Sequence, residues 1–384
     1  MPRRAARLTG LGTSVFTEMT ALAQRTGAIN LGQGFPDTDG PAEVIEAAVA
    51  ALRGGENQYA PLPGVPALRE AVLEHQRLHY GLEPEDLLVT FGATEAIAAA
   101  LLAFCDPGDE VIALEPFYDS YVAGIAFAGG RRRAVTLRPP DFALDVDALR
   151  AAAGGGRARV LLLNSPHNPT GRVLSRAELD AIAAVCIEHD LTCISDEVYE
   201  HLVFDGQHVP PASLPGMAER TLTISSVGKS FSFTGWKVGW CSGPAELVAA
   251  TRTAKQFLTF AGGTPLQHAA AAALRMGPAP LDALRDDLRA KRDQLCSGLR
   301  AAGLEPLVPA GTYFVNADVG TDAMRFCAEL PERAGVVGIP TSVFYDDKDA
   351  AATLVRFAFC KRSEVIAEAA RRLAGLDPGA PRNM

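Results

Sequence analysis

Between residues 87 and 225, short apolar runs recur, each separated from the next by a helical pattern. This alternation limits the fold more than any other feature of the chain. Leu87–Phe91, Val111–Leu114, Ala134–Leu137, Val160–Asn164, Thr192–Asp196 and Leu222–Ser225 read as strands. Several are apolar at nearly every position and so have no face for water; such strands are covered on both sides, usually by helices on a parallel sheet. Helical patterns at Ala93–Cys105, Tyr118–Ala128 and Ser175–His189 fill the gaps, the last opening on Ser175 with Glu178 three residues on, a reciprocal cap. The predicted fold class is therefore α/β with a mainly parallel central sheet.

Outside this region the pattern changes. Pro41–Arg53 reads as an amphipathic helix with proline in its first turn and Gly54-Gly55 at its end. Pro278–Leu299 is a long charged helix, Thr312–Ala317 and Val355–Phe359 look like strands, and Ser363–Leu373 a last helix. These elements predict a large α/β domain over 40–280 and a smaller α+β domain over 281–384. The N-terminal segment 1–39 is expected to join the small domain and to act as a lid. The polar tail Asp377–Met384 is expected to fray.

Charge and cysteine content narrow the function. The chain of 384 residues has 36 Lys and Arg against 45 Asp and Glu, a formal charge of −9. That sign is wrong for nucleic acid or an anionic membrane surface. The densest apolar run, Ala96–Cys105, is half of what a spanning helix needs, and the stretch after Arg3, Arg4 and Arg7 is no signal-peptide core. Seven cysteines without a Cys-x-x-Cys pair predict neither a disulfide framework nor a structural zinc site, and no metal is expected. A soluble, cytoplasmic enzyme with no nucleic-acid or membrane partner is predicted.

Four strand ends carry candidate chemistry. Lys229 follows a strand and a glycine in Ser225-Ser226-Val227-Gly228-Lys229, and Lys237 lies eight residues on among Phe233, Gly235, Trp236, Gly239 and Trp240. A lone loop lysine is ordinarily solvated, but two in so apolar a setting are unusual. Asp196 ends an apolar strand, where an unpaired carboxylate is costly. Asn164-Ser165-Pro166-His167-Asn168-Pro169-Thr170-Gly171 turns sharply at another strand end. Phe91-Gly92-Ala93-Thr94-Glu95 offers helix-start amides and a hydroxyl to an anion. Each alone is explained by turn or cap chemistry. Pyridoxal phosphate accounts for all four at once: it needs a lysine to attach to, a carboxylate at its ring nitrogen, donors at its phenolate oxygen and a phosphate cradle.

In the order Asn164–Gly171, Asp196–Tyr199 and Ser226–Gly239, these segments closely resemble the class I/II aminotransferases among fold type I pyridoxal-phosphate enzymes. Asn30–Asp37, Glu115–Asp119 and Val355–Phe359 extend the likeness over nearly the whole chain. It is similar to the kynurenine/glutamine aminotransferase branch, which also contains N-succinyldiaminopimelate aminotransferases of lysine biosynthesis. The resemblance implies that Lys229 holds the cofactor covalently and shuttles the proton. Asp196 would pair with the ring nitrogen, Asn168 and Tyr199 would donate to the phenolate oxygen, and Tyr118 would stack on the ring. Ala93, Thr94, Ser226 and Lys237 would hold the phosphate. Tyr59 would reach it from the other subunit of a homodimer with shared sites. Arg356 would clamp the substrate carboxylate with help from Gly34 and Asn168, and Phe16 would face the substrate side chain.

The implied activity is ping-pong transfer of an amino group between an L-amino acid and a 2-oxo acid. Gly262 and Gly263, before Pro265-Leu266-Gln267, leave out the bulky wall of aromatic-preferring relatives, which suits an extended donor such as N-succinyl-L,L-diaminopimelate; a glycine-requiring turn is the other reading. Arg25, Arg252 and Lys255 are candidates for a distal carboxylate by residue type alone. Kynurenine or glutamine transamination and cysteine-S-conjugate β-elimination are the alternatives. A transcription regulator with an aminotransferase-like domain would need a DNA-binding module ahead of motifs that already begin by residue 30.

Overall fold

The computed structural model describes residues 5–12 and 15–376; the tail expected to fray lies outside them, as do Arg3 and Arg4. Its centre is a seven-stranded sheet. Across the sheet run Asp86–Thr90, Gly239–Gly243, Thr221–Ser226, Thr192–Asp196, Ala158–Asn164, Glu110–Glu115 and Arg131–Thr136. Neighbours pair parallel except at Gly239–Gly243, which is antiparallel to the strands on both sides. The α/β class with a mainly parallel sheet is what the structure shows. The inner strands are buried at every position from Val160 to Asn164 and from Cys193 to Asp196, as their unbroken apolar runs require.

Helices Gly92–Phe104 and Ala245–Leu258 pack against each other and the sheet, and Arg176–Glu188 covers other strands. The cap on that last helix is as read: Ser175 Oγ accepts from the Glu178 amide, and Glu178 Oε2 accepts from the Ser175 amide at 2.9 Å. Two strands deviate from the reading. Arg131–Thr136 begins three residues earlier than its apolar core suggests, because an edge strand tolerates arginines on its wet face. Gly239–Gly243 escaped it, since Gly-Trp-Cys-Ser-Gly has little of a strand's composition.

A second, four-stranded antiparallel sheet has the order Ile339–Pro340, Leu354–Ala358, Phe314–Asp318, Glu305–Leu307. Helices Ala279–Ala301 and Ser363–Ala374 pack together beside it. Ile29–Asn30 pairs parallel with Val336–Val337, and the Ala358 amide donates to Leu31 O at 2.7 Å. These bonds bring the N-terminal segment to the second sheet and set residues 31–35 at the mouth of the cleft between the sheets. No helix among the described residues is long and apolar enough to cross a membrane.

Candidate active site

The C-terminal ends of the parallel strands open onto a cavity of about 360 Å³, the position where open α/β sheets bind ligands. Of the thirteen residues to which the resemblance gives cofactor or substrate roles, twelve line it, Tyr59 being the exception. Lys229 lies in the single helical turn Val227–Ser230 that directly continues the strand Thr221–Ser226. Its Nζ donates to Gly34 O at 3.4 Å and stands 5.6 and 5.8 Å from the ring centres of Tyr313 and Tyr199. Desolvation pulls the amine pKa down to about 8, against the opposing pull of Cys360 and Asp196. Each unit of lowering raises the neutral fraction tenfold at neutral pH, so Lys229 carries roughly 300 times the nucleophilic fraction of a free lysine. Uptake of pyridoxal phosphate by cofactor-free protein should accordingly quicken about tenfold per pH unit below neutrality and level off near pH 8. Stopped-flow absorbance checks this; a rate still climbing at the pH of ordinary lysines contradicts it.

Asp196 ends its strand buried. Its Oδ2 accepts from Tyr121 OH at 2.5 Å and its Oδ1 from the Val198 amide at 3.4 Å. Burial is the largest influence and lifts the carboxyl pKa to about 6; Tyr121, Val198 and Lys229 pull it the other way. A cationic ring nitrogen facing it would restore the charged form. Tyr118 caps helix Asp119–Ala128 and meets Tyr121 edge-on at 5.8 Å. Tyr199 is buried against Tyr313, also edge-on, at 5.3 Å.

A chain of hydrogen bonds joins this end of the cavity to Arg356. Asn164 Nδ2 donates to Asp196 O at 2.8 Å, the Asn168 amide to Asn164 Oδ1 at 2.8 Å, and Arg356 Nη1 to Asn168 Oδ1 at 3.1 Å. Arg356 sits mid-strand in Leu354–Ala358, 1% exposed, with Nη2 donating to Gly32 O at 2.9 Å. Its guanidinium lies 4.1, 4.8 and 5.4 Å from the rings of Phe314, Phe344 and Phe16. Nε is buried without a hydrogen-bond partner, and among the described residues no carboxylate pairs with this cation. Burial lowers its pKa to about 10. A buried guanidinium with an unused donor is built to receive an anion.

At the opposite end, helix Gly92–Phe104 points its start into the cavity, where the first N–H groups have no partner within the helix. Gly92 has φ +72°, and a Cβ there would lie 3.2 Å from Lys237 Nζ; the glycine lets the lysine come alongside the helix start. Ala93, Thr94, Ser226 and Lys237 all line this end. Gly34 is equally constrained, since a Cβ would stand 2.4 Å from Phe314 Cζ. Its carbonyl accepts from Tyr313 OH at 2.6 Å. Tyr59 is apart from the cavity, four-fifths exposed and edge-on to Phe260 at 5.5 Å.

Tyr121, Asn164 and Tyr313 were not among the predicted site residues, although all three make hydrogen bonds within this site. Tyr121 stands three residues on from Tyr118, in the first turn of the helix that Tyr118 caps. Of the two readings of Gly262 and Gly263, a missing wall or a turn that requires glycine, the local geometry favours the second. A Cβ on Gly262 would stand 2.3 Å from Phe91 Cζ, Gly263 has φ +64°, and neither lines the cavity. Nor do Arg25, Arg252 or Lys255: Arg252 bonds Asp86 at 3.2 Å, and Lys255 bonds the Phe260 carbonyl.

One cavity thus holds an amine of lowered basicity, a buried carboxylate, a helix start flanked by a second lysine, and an arginine awaiting an anion. Such a site belongs to an α/β enzyme that binds a phosphorylated aromatic cofactor at one end and a carboxylate substrate at the other, and pyridoxal 5′-phosphate fits it group by group. The sequence profile of the family "Aminotransferase class I and II" matches residues 26–373, and the chain belongs to that family of pyridoxal-phosphate-dependent aminotransferases. It is 52% identical to a probable N-succinyldiaminopimelate aminotransferase of Mycobacterium tuberculosis, over 97% of this chain and 98% of that protein. It is 43% identical to the methionine aminotransferase of Escherichia coli, over 97% and 98% of the two chains. The solved structure of an N-succinyldiaminopimelate aminotransferase from Mycobacterium tuberculosis superposes with a TM-score of 0.94 at 52% identity, covering 97% of this chain and 99% of that one.

Proposed function

We propose that this aminotransferase takes an amino donor of the N-succinyl-L,L-diaminopimelate kind and passes its amino group to a 2-oxo acid such as 2-oxoglutarate. The 52% identity to an enzyme named for that donor, sustained over both chains, is the observation that carries the substrate reading. The geometry supports the residue roles that the resemblance implies. Lys229 would hold the cofactor, and its Nζ, which burial leaves about half unprotonated near pH 8, would carry the proton taken from the substrate Cα. Bound pyridoxal phosphate supplies an electron sink for the carbon that loses that proton. Asp196, oriented by Tyr121, holds a proton on the ring nitrogen, while Asn168 and Tyr199 donate to the phenolate oxygen. Tyr118 covers a ring face, and the Ala93 and Thr94 amides, Ser226 and Lys237 hold the phosphate. Arg356 takes the α-carboxylate with two parallel N–H bonds, next to Gly34 and Asn168, with Phe16 against the side chain.

Two copies working as a homodimer fit the surface: Tyr59, Phe257, Leu258 and Phe260 are large apolar side chains left exposed by a single chain. In that assembly Tyr59 serves the partner's phosphate. We assign residues 1–39 and 281–384 to one small domain whose N-terminal part shields the cleft over the large domain 40–280, and we place the enzyme in the cytoplasm.

A half-reaction tests the substrate. Cofactor-loaded protein is mixed, without acceptor, with N-succinyl-diaminopimelate, L-kynurenine, L-glutamine, L-methionine or L-glutamate. The succinylated donor should bleach the visible cofactor band fastest. Faster bleaching by another of the α-amino acids, L-glutamate aside, moves the assignment to that donor. Steady pyruvate release from a cysteine S-conjugate, with no acceptor present, would show lyase chemistry instead.

A further inference from the structure

Beyond the cavity, on the far side of the turn that carries Asp196 and Tyr199, lies a second concentration of ionisable side chains. His75, near the end of helix Pro66–Tyr80, and His201, just after the turn, bring their Nε2 atoms to 2.7 Å. Their rings stand 4.8 Å apart and nearly perpendicular at 82°. Glu200 completes a trio in which each residue presents one ligating atom, all within 4.8 Å of one another. His75 and Glu200 are buried, at 3% and 8% exposure. None of the three lines the cofactor cavity.

Two features of this trio call for a cation. First, polar atoms around it are unused: His75 Nδ1, Glu197 Oε1 and His208 Nδ1 are buried without hydrogen-bond partners. Buried polar groups are rarely left so unless a water or ion completes them. Second, two buried carboxylates, Glu197 and Glu200, lie here with few cationic partners. Glu197 is paired only with His208, at 2.8 Å, and among the described residues Glu200 has no cationic partner, its Oε1 accepting from Ser225 Oγ at 2.6 Å.

We infer that His75, His201 and Glu200 form a binding site for a divalent transition-metal cation, with Zn²⁺ the best match to two imidazole nitrogens and one carboxylate oxygen. The fourth position falls to water. Coordination at about 2.0–2.1 Å in a tetrahedron separates the two nitrogens by about 3.3 Å, so the rings part by roughly half an ångström. The proton shared between the Nε2 atoms moves to the Nδ1 of the donating ring, leaving both Nε2 lone pairs on the ion. This departs from the expectation of no metal, which rested on cysteine spacing alone.

The test uses the cofactor-loaded enzyme dialysed against ZnCl₂ and then against metal-free buffer. Elemental analysis should find about one zinc per chain, and the melting temperature should rise with free zinc as binding to the folded state alone requires. Co²⁺ should give the intense ligand-field bands of four-coordination, at longer wavelength than the cofactor. The double variant His75→Ala, His201→Ala should retain no zinc and lose the thermal shift, while His268→Ala, at a distant surface histidine, retains both. Glu200→Gln, a milder change that keeps an acceptor for Ser225, should weaken zinc binding about tenfold or more and serves if the double variant fails to fold. Wild-type protein that retains no zinc overturns the inference, and the pair is then a hydrogen bond alone. So does zinc held undiminished by Glu200→Gln and by any folded histidine variant, which would place the ion elsewhere.

Discussion

Replacing Lys229 with alanine should lower turnover by about 10⁴-fold or more. A single well-placed proton-transfer group contributes typically 10²–10⁴, and the covalent anchor disappears with it. The visible band of lysine-bound cofactor should vanish, although the Asp196 and phosphate ends of the cavity remain to hold the molecule non-covalently. The fold should survive, because Lys229 makes one long hydrogen bond, 3.4 Å to Gly34 O, and joins no ion pair among the described residues. Absorbance, melting temperature and steady-state rate on one preparation check all three. Wild-type turnover in the variant would remove Lys229 from the chemistry.

Arg356→Ala should act differently, raising the KM for the amino donor by about 100-fold while the visible cofactor band persists. Charge-assisted hydrogen bonds contribute about 1.5–3 kcal/mol each, and a two-pronged carboxylate contact loses both. Arg356→Lys should fall between, since one ammonium restores the charge but not the planar pair of donors. Asn168 and Gly32 lose a partner in either variant, so kcat should also fall, but by less than KM rises. An unchanged KM in Arg356→Ala would place the substrate carboxylate elsewhere.

Much of this site was legible because its residues stand at strand ends. A strand such as Val160–Asn164 is recognisable from its apolar run, and the first polar residue after it is then expected at the ligand-binding edge. Asp196, Lys229 and the turn Asn164–Gly171 stand at or just past such strand ends, and the family resemblance then implies the role of each residue. Arg356 was found from its motif, supported by its apolar neighbours Val355 and Phe357, and the structure buries it mid-strand. What escaped was set by packing between segments remote in the chain. Asn164 looked like turn chemistry, yet its amide ties Asp196 to Asn168. Tyr313 reads as an ordinary strand residue, yet its hydroxyl holds Gly34. At Gly262 and Gly263 the sequence left two readings, a missing wall or a turn that requires glycine, and only the packing of Phe91 and the left-handed turn chooses between them. His75 and His201 meet only in the folded chain, 126 residues apart, and no local spacing announces them.

The bond from Arg356 to Gly32 O joins positions 324 residues apart, next to the pairing of Ile29–Asn30 with Val336–Val337. Closing so long a loop is entropically expensive and kinetically late. During synthesis, every residue of the cofactor cage assigned above, from Tyr59 to Lys237, emerges well before the carboxylate clamp, whose arginine lies near the end of the chain. A nascent chain can therefore present the proposed cofactor residues, together with Phe16, Gly34 and Asn168, before the guanidinium proposed to fix the α-carboxylate exists. On the proposed roles, a chain that has reached Lys229 but not Arg356 carries the reactive amine without its charged partner for the substrate carboxylate.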